Sequence, residues 1–242
     1  MRLLINVDHI ATLRNARGEA VPDPARAAQV SEEAGAAGIV FHLREDRRHI
    51  KDKDIYRIKE VVKGTLDFEM AATDEMLDIS VRLQPDLVTL VPESREELTT
   101  EGGLQMQKIA ADYEKRVVPV YKREHIEMSL FIDPRREDIE IAHRLGAEAI
   151  ELHTGPYANA ATGEERQQRI EELQEAAELA HSLGLKINAG HGLDFNNIEP
   201  LINQVPHLND ISIGHALMAE AIFDGLPNVV KRMNRIITKN SQ

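Results

Sequence analysis

The feature that most constrains this chain is an alternation. Short apolar segments rich in β-branched residues are each followed by a longer segment of helical period, from one end to the other. The segments read as strands are Leu3 to Val7, Gly38 to His42, Thr65 to Met70, Asp86 to Val91, Ile126 to Ile132, Ala149 to His153, Leu185 to Ala189 and Asp210 to Ile213. Helix signals fall between them. Pro24 suits a first helical turn, and Thr73 followed by Asp74 and Glu75 suits an N-cap. Gly146 suits a stop, and Gly225-Leu226-Pro227 a break in the closing helices. Alternating βα units imply a parallel sheet. Eight of them in 242 residues imply a closed (β/α)8 TIM barrel with extra helices, read as one domain over 1–242. An open doubly wound sheet is the alternative, but no Gly-x-Gly-x-x-Gly follows the first strand.

Two stretches resist this pattern. From Leu104 to Glu127 the first part reads as helix, and Val117-Val118-Pro119-Val120-Tyr121 as a strand or an apolar connection. After the first strand, the chain reads as a polar loop reaching to about Pro22, longer than the usual connection of about 2–6 residues.

Composition excludes several classes of chemistry. Hydrophobic content of 42% allows a sizeable core. A net charge of −12 argues against sequence-independent nucleic-acid binding. The absence of cysteine removes disulfides, thiolate nucleophiles and zinc–thiolate sites together. No apolar run of about 18 residues predicts a membrane span, and the N-terminus enters a strand without signal-peptide character, so a cytoplasmic protein is expected.

The chemistry gathers at the C-terminal ends of the strands, which converge on one mouth in a barrel. Those ends carry Asn6, Asp8 and His9; His42 and Arg44; Glu69; Glu151 and His153; Asn188 and His191; and His215. Polar groups at the end of a buried strand cost free energy unless they are exposed or paired. One such histidine is commonly structural. Five of the chain's ten, accompanied by two glutamates, read instead as acid–base groups around a cavity. Ala189-Gly190-His191-Gly192 and Gly214-His215 read as phosphate-binding turns, where glycine lets backbone N–H groups approach an anion. Arg44, Arg47, Arg48 and His49, with Thr99-Thr100-Glu101-Gly102-Gly103, suggest a second anion site. Two anion sites flanking acid–base groups suggest a reaction that joins two phosphorylated molecules. A catalytic metal at these strand ends stays open from the residues alone, although no His-x-His pair follows the first strand.

These stretches resemble the pyridoxine 5′-phosphate synthases of the deoxyxylulose phosphate-dependent vitamin B6 pathway. The resemblance rests on Asn6 through Gly18, His42 through Ile50, Leu90-Val91-Pro92-Glu93, Thr99 through Gly103, Ser129 through Asp133, His153-Thr154-Gly155, Asn188 through Leu193 and Ile213 through Ala216. Between Leu104 and Glu127 no family pattern is found. The resemblance implies condensation of 3-amino-2-oxopropyl phosphate with 1-deoxy-D-xylulose 5-phosphate, without a metal or organic cofactor, in a homo-octamer built as a tetramer of dimers. It implies that His42 and Glu69 accept protons, that His191 donates one, and that Glu151 stabilises the transition state. It places Asn6, Arg17, Gly192, Gly214 and His215 at the amino-ketone phosphate, and Asp8, His9, Arg44, His49 and Thr99 at the sugar phosphate. Arg17 is expected to act as a phosphate clamp on its loop. Two other readings remain at this point: a metal-dependent barrel aldolase or epimerase acting on a phosphosugar, and a non-catalytic sensor of phosphometabolites.

Overall fold

The computed structural model describes residues 1–93 and 102–240. Its strands are β1 (Arg2–Asn6), β2 (Gly38–His42), β3 (Thr65–Met70), β4 (Leu87–Leu90), β5 (Glu127–Ile132), β6 (Ala149–His153), β7 (Lys186–Gly190) and β8 (Leu208–Ile213). Every neighbouring pair is parallel, and β8 closes on β1 through Arg2 opposite Asp210 and Ile5 opposite Ile213. The helices are α1 (Asp8–Arg17), α2 (Pro24–Glu33), α3 (Asp52–Val61), α4 (Asp74–Leu83), α5 (Met106–Asp112), α6 (Val118–Glu124), α7 (Arg136–Leu145), α8 (Gly155–Ala158), α9 (Gly163–Ser182), α10 (Ile198–Gln204), α11 (His215–Asp224) and α12 (Leu226–Lys239). No helix among the described residues is long and apolar enough to cross a membrane.

Strand alternation divides the core in two. Residues such as Leu3, Ile5, Ile39, Phe41, Leu66, Phe68, Val88 and Leu130 face outward and pack under the helices. Their neighbours in sequence face the barrel axis, and many are polar. Asp67 accepts the Thr89 hydroxyl at 2.8 Å inside the barrel, and Arg2 forks onto Asp210 at 2.7 Å at its N-terminal rim. Branched apolar side chains usually fill such an interior. Here carboxylates stand at several levels: Asp210 lowest, Asp67 and Glu151 above it, and Glu69 at the mouth.

Two expectations are corrected. The polar stretch after β1 is the ten-residue helix α1, closed by Gly18 in the left-handed region at φ 68°. It escapes an apolar-stripe reading because its buried positions include Asp8, Ala11 and Arg14, while Leu13 stays exposed. The second correction concerns Val117 to Tyr121, which is helical. A π-turn over Tyr113–Val117 leads directly into α6. Pro119 supplies no N–H, so the ladder must re-register around it. Tyr113, Val117, Val118 and Tyr121 recur at helical spacing and are buried.

Candidate active site

The mouth is formed where the strands end. Asn6 closes β1, and its side-chain oxygen accepts the Asp8 N–H at 2.9 Å, which turns the chain into α1. Its amide reaches Glu69 at 3.4 Å, so β1 and β3 meet across the opening. Asp8 is buried and accepts the backbone N–H of His42 at 2.9 Å. The His42 ring is buried as well, with Nε2 at 2.7 Å from a carboxylate oxygen of Glu93. On the far side the rings of His153 and His191 meet edge to face, 5.1 Å between centroids. His153 is tied to Asp133 at 3.1 Å. Gly155 lies against both rings; a Cβ there would sit 2.5 Å from His153 Nε2.

Burial and mutual repulsion set the charges. The Glu69 carboxyl is pushed well above the ordinary carboxylate range by burial, then by Glu151, Asp8 and Asp67. Glu151 is raised for the same reasons, burial first and then Asp67 and Asp210. Glu151 also has no room beside it, since a Cβ on Gly190 would stand 2.1 Å from its Oε1. Asp67 is raised to about 7 by burial, against the Thr89 hydrogen bond. Carboxyls with raised proton affinity hold or release a proton near neutral pH, which suits acid–base work. His191 moves the other way. Burial, then His153, lowers it to about 4, so the unliganded ring is neutral at pH 7.

These shifts predict how stability depends on pH. Asp67 has a folded-state value of about 7 and an ordinary value of 3.8. Between those values the folded protein holds a proton that the unfolded chain has lost, so stability falls as pH rises through that window. Asp67→Asn should flatten the decline in Tm between pH 5 and 8, as measured by thermal melts across that range. A slope equal to that of the wild type would show that Asp67 ionises normally in the fold.

The two expected phosphate turns are held from behind. His191 and Gly192 both occupy the left-handed region, at φ 82° and 77°. That conformation is strained for histidine and easy for glycine. The hydroxyl of Thr154, fully buried, points at the carbonyls of Gly190 at 2.6 Å and His191 at 2.7 Å. Asn197 donates to the carbonyl of Gly192 at 3.0 Å. These three contacts fix the loop that carries His191 and Gly192. Gly214 precedes α11 and packs on β1; a Cβ there would lie 3.0 Å from that of Asn6 and 3.2 Å from His9 Nδ1. His215 opens α11 and meets the His9 ring at 5.1 Å, so this helix N-terminus stands at the rim. Burial, more than the neighbouring His215 and His49, lowers His9.

The basic run after β2 is only partly available to an anion. Arg47 is paired with Asp52 and Glu75, and Arg48 with Asp46 at 2.6 Å. Arg44 is buried, 3.9 Å from Asp46. The Nδ1 of His49 accepts the Ile50 N–H at 3.0 Å, so a neutral ring carries its proton on Nε2. Burial lowers the His49 pKa, against the opposing effect of Asp8 at 3.8 Å. Thr99 lies outside the described residues. Arg17 lies on α1 itself. It ends α1, exposed, roughly 13 Å along the helix from Asp8 at 1.5 Å per residue. The loop expected to carry it as a clamp is this helix.

A family model described as Pyridoxal phosphate biosynthesis protein PdxJ matches residues 3–239. The chain belongs to the PdxJ family. It is 49% identical over 237 residues to the pyridoxine 5′-phosphate synthase of Chlorobium phaeobacteroides, covering 98% of this chain and 100% of that one. It is 48% identical to that of Aliivibrio fischeri, covering 96% and 95%. Among solved structures it resembles the Pyrococcus furiosus thiamine phosphate pyrophosphorylase at TM-score 0.63 and 13% identity, over 100% of this chain and 97% of that one. It also resembles the Methanocaldococcus jannaschii orotidine 5′-monophosphate decarboxylase at TM-score 0.66 and 14% identity, over 97% of each. At such identities the structural likeness concerns the barrel alone. As a PdxJ protein the chain is an enzyme of vitamin B6 biosynthesis.

Two PdxJ features carry no site role in the sequence reading yet shape the mouth. Thr154 clasps the β7 loop, as described above. Arg14 forks onto Asp54 at 2.8 Å through both terminal nitrogens, and both residues are buried. Arg14 and Asn15 also donate to the carbonyl of His49, at 3.2 and 2.8 Å. The motif Leu13-Arg14-Asn15 thus anchors the loop that presents Arg44 and His49. An arginine–aspartate pair 40 positions apart leaves no local signal in a sequence.

Proposed function

We propose that this chain condenses 3-amino-2-oxopropyl phosphate with 1-deoxy-D-xylulose 5-phosphate, releasing pyridoxine 5′-phosphate, inorganic phosphate and water. Near-complete coverage by synthases at about half identity carries the reading. Imine formation, loss of water, loss of phosphate and ring closure each move protons. Several groups of differing proton affinity around one cavity can serve steps that a single base cannot. His42 and Glu69 are assigned as acceptors, His191 as donor and Glu151 as stabiliser of the transition state. The amino-ketone phosphate is assigned to Asn6, Gly192, Gly214 and His215, where the β7 loop and the α11 N-terminus meet. The sugar phosphate is assigned to Asp8, His9, Arg44, His49 and Thr99. Holding both substrates supplies the proximity term, up to about 7–11 kcal/mol in favourable cases. The direct test is to mix both substrates with purified protein and follow pyridoxine 5′-phosphate. Absence of turnover with both present would refute the assignment.

The donor role requires a protonated His191, which the unliganded site disfavours. A substrate phosphate dianion on the Gly192 turn would reverse that by stabilising the imidazolium. His191 should therefore titrate near 4 without ligand and at distinctly higher pH with the amino-ketone phosphate bound, as followed by NMR of its ring. An unchanged midpoint would remove His191 as the donor. The cytoplasm and a homo-octamer complete the reading. Arg17, at the outer end of α1, suits the mouth of a neighbouring copy better than its own.

A further inference from the structure

Glu93 follows β4 and sits against the proposed base His42, yet none of the roles above includes it. Its side chain is 6% exposed and that of His42 7%. One oxygen lies 2.7 Å from His42 Nε2 and accepts the Ala71 N–H at 3.3 Å. The other accepts the Glu45 N–H at 3.1 Å. The carboxylate therefore joins the ends of β2, β3 and β4 and is fixed from two backbone directions. We propose that Glu93 is the positioning residue of His42: it holds the ring in the Nε2–H tautomer, so that Nδ1 is the nitrogen that exchanges protons with substrate.

The argument is one of valence. A carboxylate has only lone pairs to offer, so the hydrogen between it and Nε2 belongs to the imidazole. The neutral ring then carries its free lone pair on Nδ1. When Nδ1 takes a proton, the imidazolium stands beside a buried anion that already has its hydrogen bonds and need not reorganise. Glu93 is suited to that part. Its carboxyl is held below the ordinary range by His42, the Glu45 N–H and Arg44, against the effect of burial. The remaining charged surroundings of His42 are Asp8, which takes its backbone N–H, His49 at 6.0 Å between rings, Arg44 two residues on, and Glu69 opposite it in register. Glu93 is the group hydrogen-bonded to the ring, and it selects the tautomer.

This inference rests on the reading of His42 as a base, and its test separates the two. In wild-type protein without substrate, 15N NMR of the histidine rings should show His42 with hydrogen on Nε2 and a free lone pair on Nδ1. That measurement involves no turnover. Glu93→Gln keeps size and one accepting oxygen but loses the charge. It should lower kcat about 10²-fold or more, with KM values changed little. The acid limb of the kcat–pH profile should move to lower pH, because the imidazolium has lost its counter-charge. Glu93→Asp should recover part of kcat. A purely structural staple would instead lower Tm and leave the pH profile in place. An Nδ1–H tautomer in the wild type, or wild-type kcat in Glu93→Gln, would overturn the proposal. If His42→Gln turns over normally, the reading of His42 as base fails and the catalytic part of the proposal falls with it, whichever tautomer the spectrum shows.

Discussion

Glu69→Gln is expected to lower kcat by about 10²–10⁴-fold, the range for removal of a positioned acid or base. The substitution keeps the shape of the side chain and an oxygen for the Asn6 amide, which reaches Glu69 at 3.4 Å. It removes the ability to take and return a proton. Stability should move the other way. Burial and the neighbours Glu151, Asp8 and Asp67 all oppose ionisation of Glu69. A neutral amide relieves that repulsion, so Tm at pH 8 should stay level or rise. Opposite signs in kcat and Tm would mark a group kept for chemistry at the expense of the fold. A variant with near wild-type kcat would take Glu69 out of the mechanism, and a large fall in Tm would make it a structural residue.

Asp54→Ala should produce the largest loss of stability, about 3–5 kcal/mol, by leaving the buried Arg14 guanidinium without its partner. For a chain of this size that corresponds to a Tm lower by roughly 10 °C. The effect should reach the site, because Arg14 and Asn15 hold the carbonyl of His49. KM for the sugar phosphate should rise more than KM for the amino-ketone. Replacing both partners with apolar residues, Arg14→Met with Asp54→Leu, should restore much of the stability while leaving KM for the sugar raised. A thermal melt of Asp54→Ala within about 2 °C of wild type would show that the pair contributes little.

Family membership and the geometry of the mouth bear on different matters. The relatives fix what class of enzyme this is. The geometry explains how such an enzyme could run several proton transfers in one cavity. Asp67, Glu69 and Glu151 are kept from water and stand near other carboxylates, so their proton affinities are pushed upward. The histidines opposite them are driven downward by burial, as His9, His49 and His191 are. The result is a cavity in which carboxyls are shifted upward and imidazoles downward, toward one another.

The sequence by itself determined the architecture and the membership of the mouth. Period-two alternation in Thr65-Leu66-Asp67-Phe68-Glu69-Met70 separates axis-facing from helix-facing residues, because successive side chains on a strand point to opposite faces. Eight such units close into a barrel, and closure brings the strand ends together whatever lies between them. Hence Asn6, His42, Glu69, Glu151 and His191 could be named in advance. Helix α1 could not, because its inner face carries Asp8 and Arg14 where an apolar stripe would have announced it. Nor could the pairing of Arg47 with Asp52 and Glu75 and of Arg48 with Asp46, which breaks up what had read as one basic cluster. The contacts that tune the site join residues far apart in the chain: Glu93 to His42, Thr154 to the β7 loop, Arg14 to Asp54. Tertiary structure alone decided those, because proton affinity and loop position depend on what is buried beside a group, and burial exists only once the barrel has closed.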